Sequence, residues 1–457
     1  MSWQGKQVAI IGFGIEGEAA LDYLIKNGAK VTVCDKIDEA ALGDRYTRSR
    51  EKVEAWQLGA DYLHKLKEVD AVFRSPGTPF YSVEIQEALK SGVQITSGTK
   101  EFFQNCPARI VGVTGTKGKG TTATLIYEML KAAGQRAYLV GNIGKPALSV
   151  LPELTKEDIV VFELSSFQLQ DLDSSPSIAV VLGVTVDHQD HHASVEEYEE
   201  SKSAIVRFQK EEDVTITNID YPASERIAAE TKGRLVPVST ARQLEYGVYV
   251  ADGNIMQNIG GSPISIVALN EIGLRGAFNA ENVVAAVAAG SVLGIEEETI
   301  AAVLRIFTGL PHRLEFVRDV RGVMYWDNSY ATTPETTVAA IQSFKEPIVL
   351  LLGGYEKGFN YRALADGVVA SSVKAIVGIG KNAPQMYEAV QVAASKAGKS
   401  APQYIEGGET MSSMISAANS VAVSEDVVLL SPAAASFDKF KNVTDRGEQF
   451  KKVVESL

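Results

Sequence analysis

Residues Ile110-Val111-Gly112-Val113-Thr114-Gly115-Thr116-Lys117-Gly118-Lys119-Gly120-Thr121-Thr122 decide the fold. A short apolar, β-branched run enters a turn rich in Gly and Lys and passes into an apolar helical pattern from Leu125 to Leu130. Strand, glycine-rich turn and helix together hold a polyphosphate, because glycines let backbone N–H groups converge on phosphate oxygens and the helix N-terminus adds positive potential. Lys119 is placed to reach the terminal phosphates, and Thr121 or Thr122 to set a hydroxyl on Mg²⁺. The turn departs from the standard phosphate loop: Gly115 and Gly118 stand closer together, and Gly120 rather than Ser or Thr follows Lys119. Two neighbouring lysine–glycine pairs still call for an anion. Residues Gly115, Thr116, Lys117, Gly118, Lys119, Gly120, Thr121 and Thr122 are therefore expected to bind a nucleoside triphosphate.

The rest of the composition limits what surrounds this loop. A chain of 457 residues suggests about three domains. With 45% hydrophobic residues it can bury sizeable cores, yet it has no apolar run long enough to span a membrane. Met1 to Lys6 leads directly into a strand-like segment, so no signal peptide is expected. Two cysteines, Cys34 and Cys106, have neither a disulfide framework nor metal-ligand spacing and fit a reducing cytoplasm. The net charge of −13 argues against nucleic acid or an anionic membrane as partner. An anionic nucleotide must then be captured by local groups.

Apolar β-rich runs alternate with amphipathic helical segments, which predicts an α/β protein with mainly parallel sheets. Three domains are expected, at 1–97, 98–308 and 309–457: Rossmann-like, phosphate-loop ATPase-like and Rossmann-like again. The first has strands near 7–11, 30–34 and 71–73, and the second adds strands near 137–140, 159–162 and 178–182 to the phosphate loop. The stretch from Val214 to Leu269 reads as more antiparallel, and a helix is expected from Asn279 to about Leu293. Gly309-Leu310-Pro311 reads as a hinge. The third domain has strands near 323–326, 348–352, 375–379 and 427–430.

Gly12-Phe13-Gly14-Ile15-Glu16-Gly17 follows the first strand, and Asp35 ends the second, where a ribose-binding acid belongs. The fingerprint reports a tight turn, close approach to a diphosphate and close helix packing, so any nucleoside diphosphate satisfies it, not NAD alone. Glu163 ends the apolar strand Ile159–Phe162 and is placed to hold Mg²⁺, directly or through water. Ser165 and Ser166 follow, one of them suited to capping a helix. His188, in Thr185-Val186-Asp187-His188-Gln189-Asp190-His191-His192, is a candidate for Mg²⁺ or substrate contact, whereas His191 and His192 read as solvated loop. Lys202 lies in a helical segment, where a lysine is ordinarily solvated. Asn279 and Asn282 suit either adenine or a helix cap. Arg313 is positioned to reach phosphates. In the third domain, polar loops follow three strands, at Asp327–Glu335, Gly353–Gly358 and Ser431–Asp438. Lys357 and Ser436 in them point to a second substrate site.

Several runs together resemble the ATP-dependent Mur ligases of peptidoglycan synthesis, most closely the glutamate-adding branch, over essentially the whole chain. The most specific carriers are Glu163-Leu164-Ser165-Ser166-Phe167-Gln168-Leu169 and Leu310-Pro311-His312-Arg313-Leu314-Glu315. Others are Gly115–Thr122, Gly141-Asn142-Ile143-Gly144, Tyr198 with Lys202, Leu352-Gly353-Gly354 with Lys357, and Ser431-Pro432 through to Arg446-Gly447.

The resemblance implies that ATP phosphorylates a substrate carboxylate and that the amine of glutamate then displaces phosphate. It implies that Thr121, Glu163, His188 and a carbamylated Lys202 serve Mg²⁺, with Lys119, His188 and Lys202 the catalytic set. Asn279, Arg313, Asp327 and Asn328 would contact ATP. Gly14, Ile15 and Asp35 would take the UDP group of UDP-N-acetylmuramoyl-L-alanine, and Asn142 and Ser165 its muramoyl-alanine end. Lys357, Ser436 and Phe437 would receive glutamate. A monomeric cytoplasmic enzyme is expected.

The chain departs from the family's Asp-Ser-Lys-Ala-Thr-Asn, which stands here as Asn328-Ser329-Tyr330-Ala331-Thr332-Thr333, with Asp327 one residue earlier. An L-glutamate-adding variant and the folylpolyglutamate synthases are the neighbouring alternatives. An NAD oxidoreductase or a nonenzymatic ATP-binding regulator leaves one of the two nucleotide loops, or the Glu163, His188 and Lys202 positions, without a task.

Overall fold

The computed structural model describes residues 2–185, 194–355 and 358–457. His188 and Lys357 lie outside the described residues. The described residues form three sheets, and the chain divides into two compact units. One comprises Met1–Glu271 with Glu281–Leu304, and the other Ile272–Ala280 with Arg305–Leu457.

The first sheet contains β1 (Gln7–Ile11), β2 (Lys30–Asp35), β3 (Ala55–Leu58), β4 (Ala71–Arg74) and β5 (Gln94–Ser97), in the order β3-β2-β1-β4-β5. Every pair is parallel. This is the doubly wound order, and its reversal falls beside β1, where the strand passes through Gly12–Gly14 into helix α1 (Ile15–Lys26). The short strands β3 and β5 escape the sequence reading because their patterns, Ala-Trp-Gln-Leu and Gln-Ile-Thr-Ser, have no continuous apolar run.

The second sheet has the order β14-β13-β12-β11-β10-β9-β6-β8-β7. Its members are β6 (Arg109–Thr114), β7 (Ala137–Gly141), β8 (Ile159–Glu163), β9 (Ile178–Val181) and β10 (Val214–Asn218), followed by β11 (Arg234–Ser239), β12 (Gly247–Ala251), β13 (Asn254–Asn258) and β14 (Ile264–Ala268). Helices α2 (Lys119–Ala132), α3 (Val195–Arg207) and α4 (Ala277–Val292) belong to this part of the chain. Ile159–Glu163 is buried along its whole length, as expected of a parallel strand covered on both faces.

One expectation is corrected here. The stretch from Val214 to Leu269 is antiparallel only at β12-β13-β14, while β10 and β11 extend the parallel sheet from β9, and β11 pairs parallel with β12. Turn signals at Asp252-Gly253 mark one hairpin, and periodicity alone does not say which way earlier strands run.

In the second unit the order is β15-β16-β20-β17-β18-β19. The strands are β15 (Glu315–Val320), β16 (Val323–Asp327), β17 (Ile348–Leu352), β18 (Val373–Gly378), β19 (Gln403–Glu406) and β20 (Val427–Leu430). β15 forms an antiparallel hairpin with β16, and the other pairs are parallel. Because β20 lies between β16 and β17, the three polar loops that follow these strands gather at one edge. Helix α5 (Val443–Glu455) closes the chain, its N-terminus capped by Asn442 Oδ1, which accepts the Asp445 N–H at 2.9 Å.

Candidate functional site

The phosphate loop joins β6 to α2 at the point where the order of the central sheet reverses, β6 lying between β9 and β8. Gly118 is left-handed, at φ +83°, and a Cβ there would meet Asn282 Oδ1 at 2.0 Å. Asn282 also receives the Thr122 hydroxyl at 3.4 Å. Asn282 thus packs under the loop. Thr116 is spent on the fold: its hydroxyl donates to Thr185 O at 3.0 Å, accepts the Thr185 N–H at 2.9 Å and lies 3.1 Å from the Tyr198 hydroxyl. Thr122 is fully buried whereas Thr121 is partly exposed, so Thr121 is the hydroxyl of the pair open to a ligand. Lys117 is exposed, and Lys119 Nζ donates to Gly115 O at 3.1 Å and Thr116 O at 3.0 Å.

Two further groups converge on this loop. Glu163 ends β8, in register with Val113 of β6 and Gly141 of β7, and is buried. Gly141 is required there, since a Cβ would meet Glu163 O at 2.3 Å. Exposed Asn142 follows at once. Lys202, on α3, is the group that the solvated reading got wrong. It is 1% exposed, its Nζ donates to Gly115 O at 3.2 Å and to Thr114 Oγ1 at 3.5 Å, and it lies 4.6 Å from the Tyr198 ring centroid. A carbonyl and a π face suit an amine acting as donor. Helical periodicity does not distinguish Lys202 from a surface lysine, although the resemblance singles it out with Tyr198; the broad burial of α3, from Ser201 to Val206, does so.

Ser165 caps the short helix Ser166–Leu169: its hydroxyl accepts the Gln168 N–H, and Gln168 Oε1 accepts the Ser165 N–H in return. Gln168 Nε2 then donates to Glu16 Oε1 at 3.0 Å, tying this run to the glycine fingerprint. Burial raises the Glu16 carboxyl pKa against the lowering effect of that hydrogen bond. A second tie is Arg74, which donates to Thr78 O and Phe167 O and pairs with Asp171 at 2.9 Å, both charges being buried.

In the fingerprint, Gly12 is left-handed against Ser75, and a Cβ on Gly17 would meet Gly12 O at 2.4 Å. Gly14 and Ile15 are exposed. Asp35 accepts the Phe13 N–H at 2.6 Å and the Ile37 N–H at 3.1 Å, so its carboxylate holds the loop in shape.

The second unit contains Asn279, Arg313, Asp327, Asn328, Ser436 and Phe437. Asn279 Nδ2 donates to Arg275 O at 2.6 Å. Asp327 is fully buried; it accepts from His312 Nδ1 at 2.6 Å and from the Ser329 N–H at 2.9 Å. That hydrogen bond raises the His312 pKa, with desolvation opposing it. A Cβ on Gly447 would meet His312 Nδ1 at 2.2 Å, so α5 can lie against this pair only with glycine there. Asn328 Oδ1 accepts the Leu314 N–H, and its Nδ2 donates to Ser431 Oγ. Arg446 is part of the last run that carries the resemblance, which gives it no role of its own. It is fully buried and donates to Ser329 O, Ser329 Oγ and Ala434 O, joining two of the polar loops, and desolvation lowers its pKa to about 10. Ser436 Oγ is buried with no hydrogen-bond partner among the described residues, and Phe437 is exposed beside Tyr355.

A modified phosphate loop with a buried carboxylate beside it, and a separate α/β unit edged by polar loops, make this a nucleotide-binding type of α/β protein. Family models agree along the chain: "Mur ligase MurD-like, N-terminal domain" at residues 6–97, "Mur ligase middle domain" at 113–290 and "Mur ligase, glutamate ligase domain" at 312–434. The chain belongs to the Mur ligase family.

Among its relatives is the UDP-N-acetylmuramoylalanine–D-glutamate ligase of Acetivibrio thermocellus, 39% identical over 454 residues, covering 99% of this chain and 97% of the relative. The enzyme of the same name from Symbiobacterium thermophilum is 39% identical over 456 residues, covering 99% and 98%. The solved UDP-N-acetylmuramate–alanine ligase MurC of Thermotoga maritima matches with a TM-score of 0.62 at 17% identity, over 99% of both chains. MurF of Thermotoga maritima, solved with ADP, matches at 0.58 and 17% identity, over 99% of this chain and 96% of that one. Both structural likenesses concern the fold.

Proposed function

We propose that this chain is an ATP-dependent amide ligase that joins D-glutamate to UDP-N-acetylmuramoyl-L-alanine, in domains at 1–97, 98–308 and 309–457. The observation that carries the reading is the convergence of the phosphate loop, buried Glu163 and buried Lys202 at one edge of the central sheet. The relatives named for that activity, matched along nearly the whole chain, supply the substrates.

In this reading the loop amides and Lys119 hold the β- and γ-phosphates while the acceptor carboxylate attacks the γ-phosphorus, giving an acyl phosphate and ADP. The glutamate amine then adds to the acyl carbon, and phosphate leaves from the tetrahedral intermediate. Lys119 offsets negative charge as the two anions meet. Glu163 and Thr121 offer the hard oxygen donors that Mg²⁺ prefers, and His188 and a carbamylated Lys202 complete the set. The ion, when bound, supplies positive charge at the phosphate oxygens. Asn279, Arg313, Asp327 and Asn328 form the nucleotide side of the second unit, Asp327 and Asn328 through the turn they brace. Gly14, Ile15 and Asp35 take the UDP group, Asp35 by shaping the loop. Asn142 and Ser165 meet the muramoyl-alanine end, and Lys357, Ser436 and Phe437 the glutamate. The Ser436 hydroxyl, buried and without a hydrogen-bond partner among the described residues, supports that last assignment, because a buried polar group calls for a partner. The enzyme works as a cytoplasmic monomer; among the described residues no helix is long and apolar enough to cross a membrane.

The test is phosphate release from ATP and Mg²⁺ with UDP-N-acetylmuramoyl-L-alanine and either glutamate isomer. Release is expected only with both co-substrates present and with the D isomer preferred; no release with either isomer removes the reading, and preference for L-glutamate replaces it. In the same assay Lys202→Ala is expected to lose activity and regain part of it with added short carboxylates. A folded variant that no carboxylate rescues argues against the carbamate.

A further inference from the structure

Arg313 is held out from the second unit by a turn in two conformations that L residues rarely adopt. The residues on either side of it, His312 at φ +62° and Leu314 at φ +52°, are both left-handed and both buried, whereas Arg313 is exposed. Each flank is tied down. The His312 N–H donates to Glu315 Oε2 at 2.8 Å, and its Nδ1 lies 2.6 Å from Asp327 Oδ2. The Leu314 N–H donates to Asn328 Oδ1 at 3.1 Å, and His312 O accepts the Tyr330 N–H at 3.1 Å. Such conformations persist where surrounding groups over-determine them, and they accompany sites at which a side chain must be aimed.

Tyr330 meets that aimed side chain. The Arg313 guanidinium carbon lies 5.2 Å from the Tyr330 ring centroid, within cation–π range. The Tyr330 ring is nearly parallel to the His312 imidazole, with centroids 6.0 Å apart and planes at 14°. Its hydroxyl lies 3.1 Å from Thr444 Oγ1 of α5. A lysine here, as in the pattern this chain departs from, would set like charge beside Arg313; a tyrosine offers a flat face that attracts it.

We propose that Tyr330 is a positioning residue that fixes the Arg313 guanidinium for the phosphates of ATP. The aromatic face replaces a lysine's charge, and Asp327 and Asn328 brace the turn from behind. This rests on the assignment of Arg313 to ATP in the proposed function.

The full-length protein carrying Tyr330→Phe, Tyr330→Leu, Arg313→Ala, or Tyr330→Leu with Arg313→Ala tests it. KM values for ATP and glutamate are measured alongside the Arg313 Nε–H resonance, identified by its loss in Arg313→Ala. Tyr330→Phe is expected to stay within about twofold of the parent, since the ring face is kept. Tyr330→Leu is expected to raise the ATP KM about fivefold and leave the glutamate KM unchanged. It should also remove the ring-current shift from the Arg313 resonance. In the Arg313→Ala background it should add nothing. An unmoved Arg313 resonance, a raised glutamate KM or additive effects in the double variant overturn the proposal. An Arg313→Ala protein with normal ATP KM overturns the ATP assignment itself, and the resonance then reports separately on whether the stacking exists.

Discussion

His312 shows how one residue couples position to protonation. Its imidazole is buried against Asp327, with Glu315 and Glu448 also facing it and Lys451 opposing. The hydrogen bond to Asp327 raises its pKa above the ordinary 6.5. A raised folded-state pKa means that the protonated form is favoured by folding. The stabilisation is therefore complete below about 6.5 and is lost as pH climbs through the folded-state value. The difference in melting temperature between the parent and His312→Gln is thus expected to shrink steadily from pH 6 to pH 9. A difference that stays constant over that range would show that the pair contributes no protonation-linked stability. Reading by residue type singled out Lys119, Glu163 and Arg313 as candidates, because their neighbours in sequence are distinctive. It could not show that Lys202 is buried beneath the loop, nor which hydrogen bonds Thr116, Asp35 and Asn282 make within the fold, because those partners are distant in sequence.

Elements within the first unit are joined by charged ties as well as apolar packing. Arg74, at the end of β4, reaches two backbone carbonyls, one of them Phe167 O in the helix that follows β8, and pairs with buried Asp171 just beyond that helix. Removing one partner leaves the other charge buried and uncompensated, whereas replacing both by apolar groups does not. Arg74→Met is therefore expected to destabilise the protein by about 3–5 kcal/mol in urea unfolding, and Arg74→Met with Asp171→Leu to recover much of that loss. If the double variant is less stable than the single, the tie contributes more than the charges it neutralises. Strands such as Gln7–Ile11, Ile348–Leu352 and Val427–Leu430 were legible because parallel strands covered on both faces read as apolar runs. β15 and β19 were not: their mixed polar patterns form strands only because a neighbour offers an edge.

At the scale of the whole molecule, the chain divides into two compact units, and the residues proposed for UDP fall in the first of them. The glycine fingerprint lies wholly in the first unit, so UDP is expected to stabilise that unit alone. In scanning calorimetry with UDP at about one hundred times its Kd, one unfolding transition should gain about 2.7 kcal/mol while the other stays in place. Equal movement of both transitions would mean that the units unfold together, and no movement would count against UDP binding at the fingerprint.

The amino-acid sequence by itself determined the α/β class, the two glycine-rich βα turns and the family, since these rest on local glycine chemistry, apolar runs and contiguous motifs. Tertiary structure alone decided that β10 and β11 extend a parallel sheet and that Lys202 is buried beneath Gly115. It also decided that Tyr330 faces Arg313. Strand direction, burial and side-chain contact are set by groups far apart in the chain, and no local pattern encodes which of them will meet.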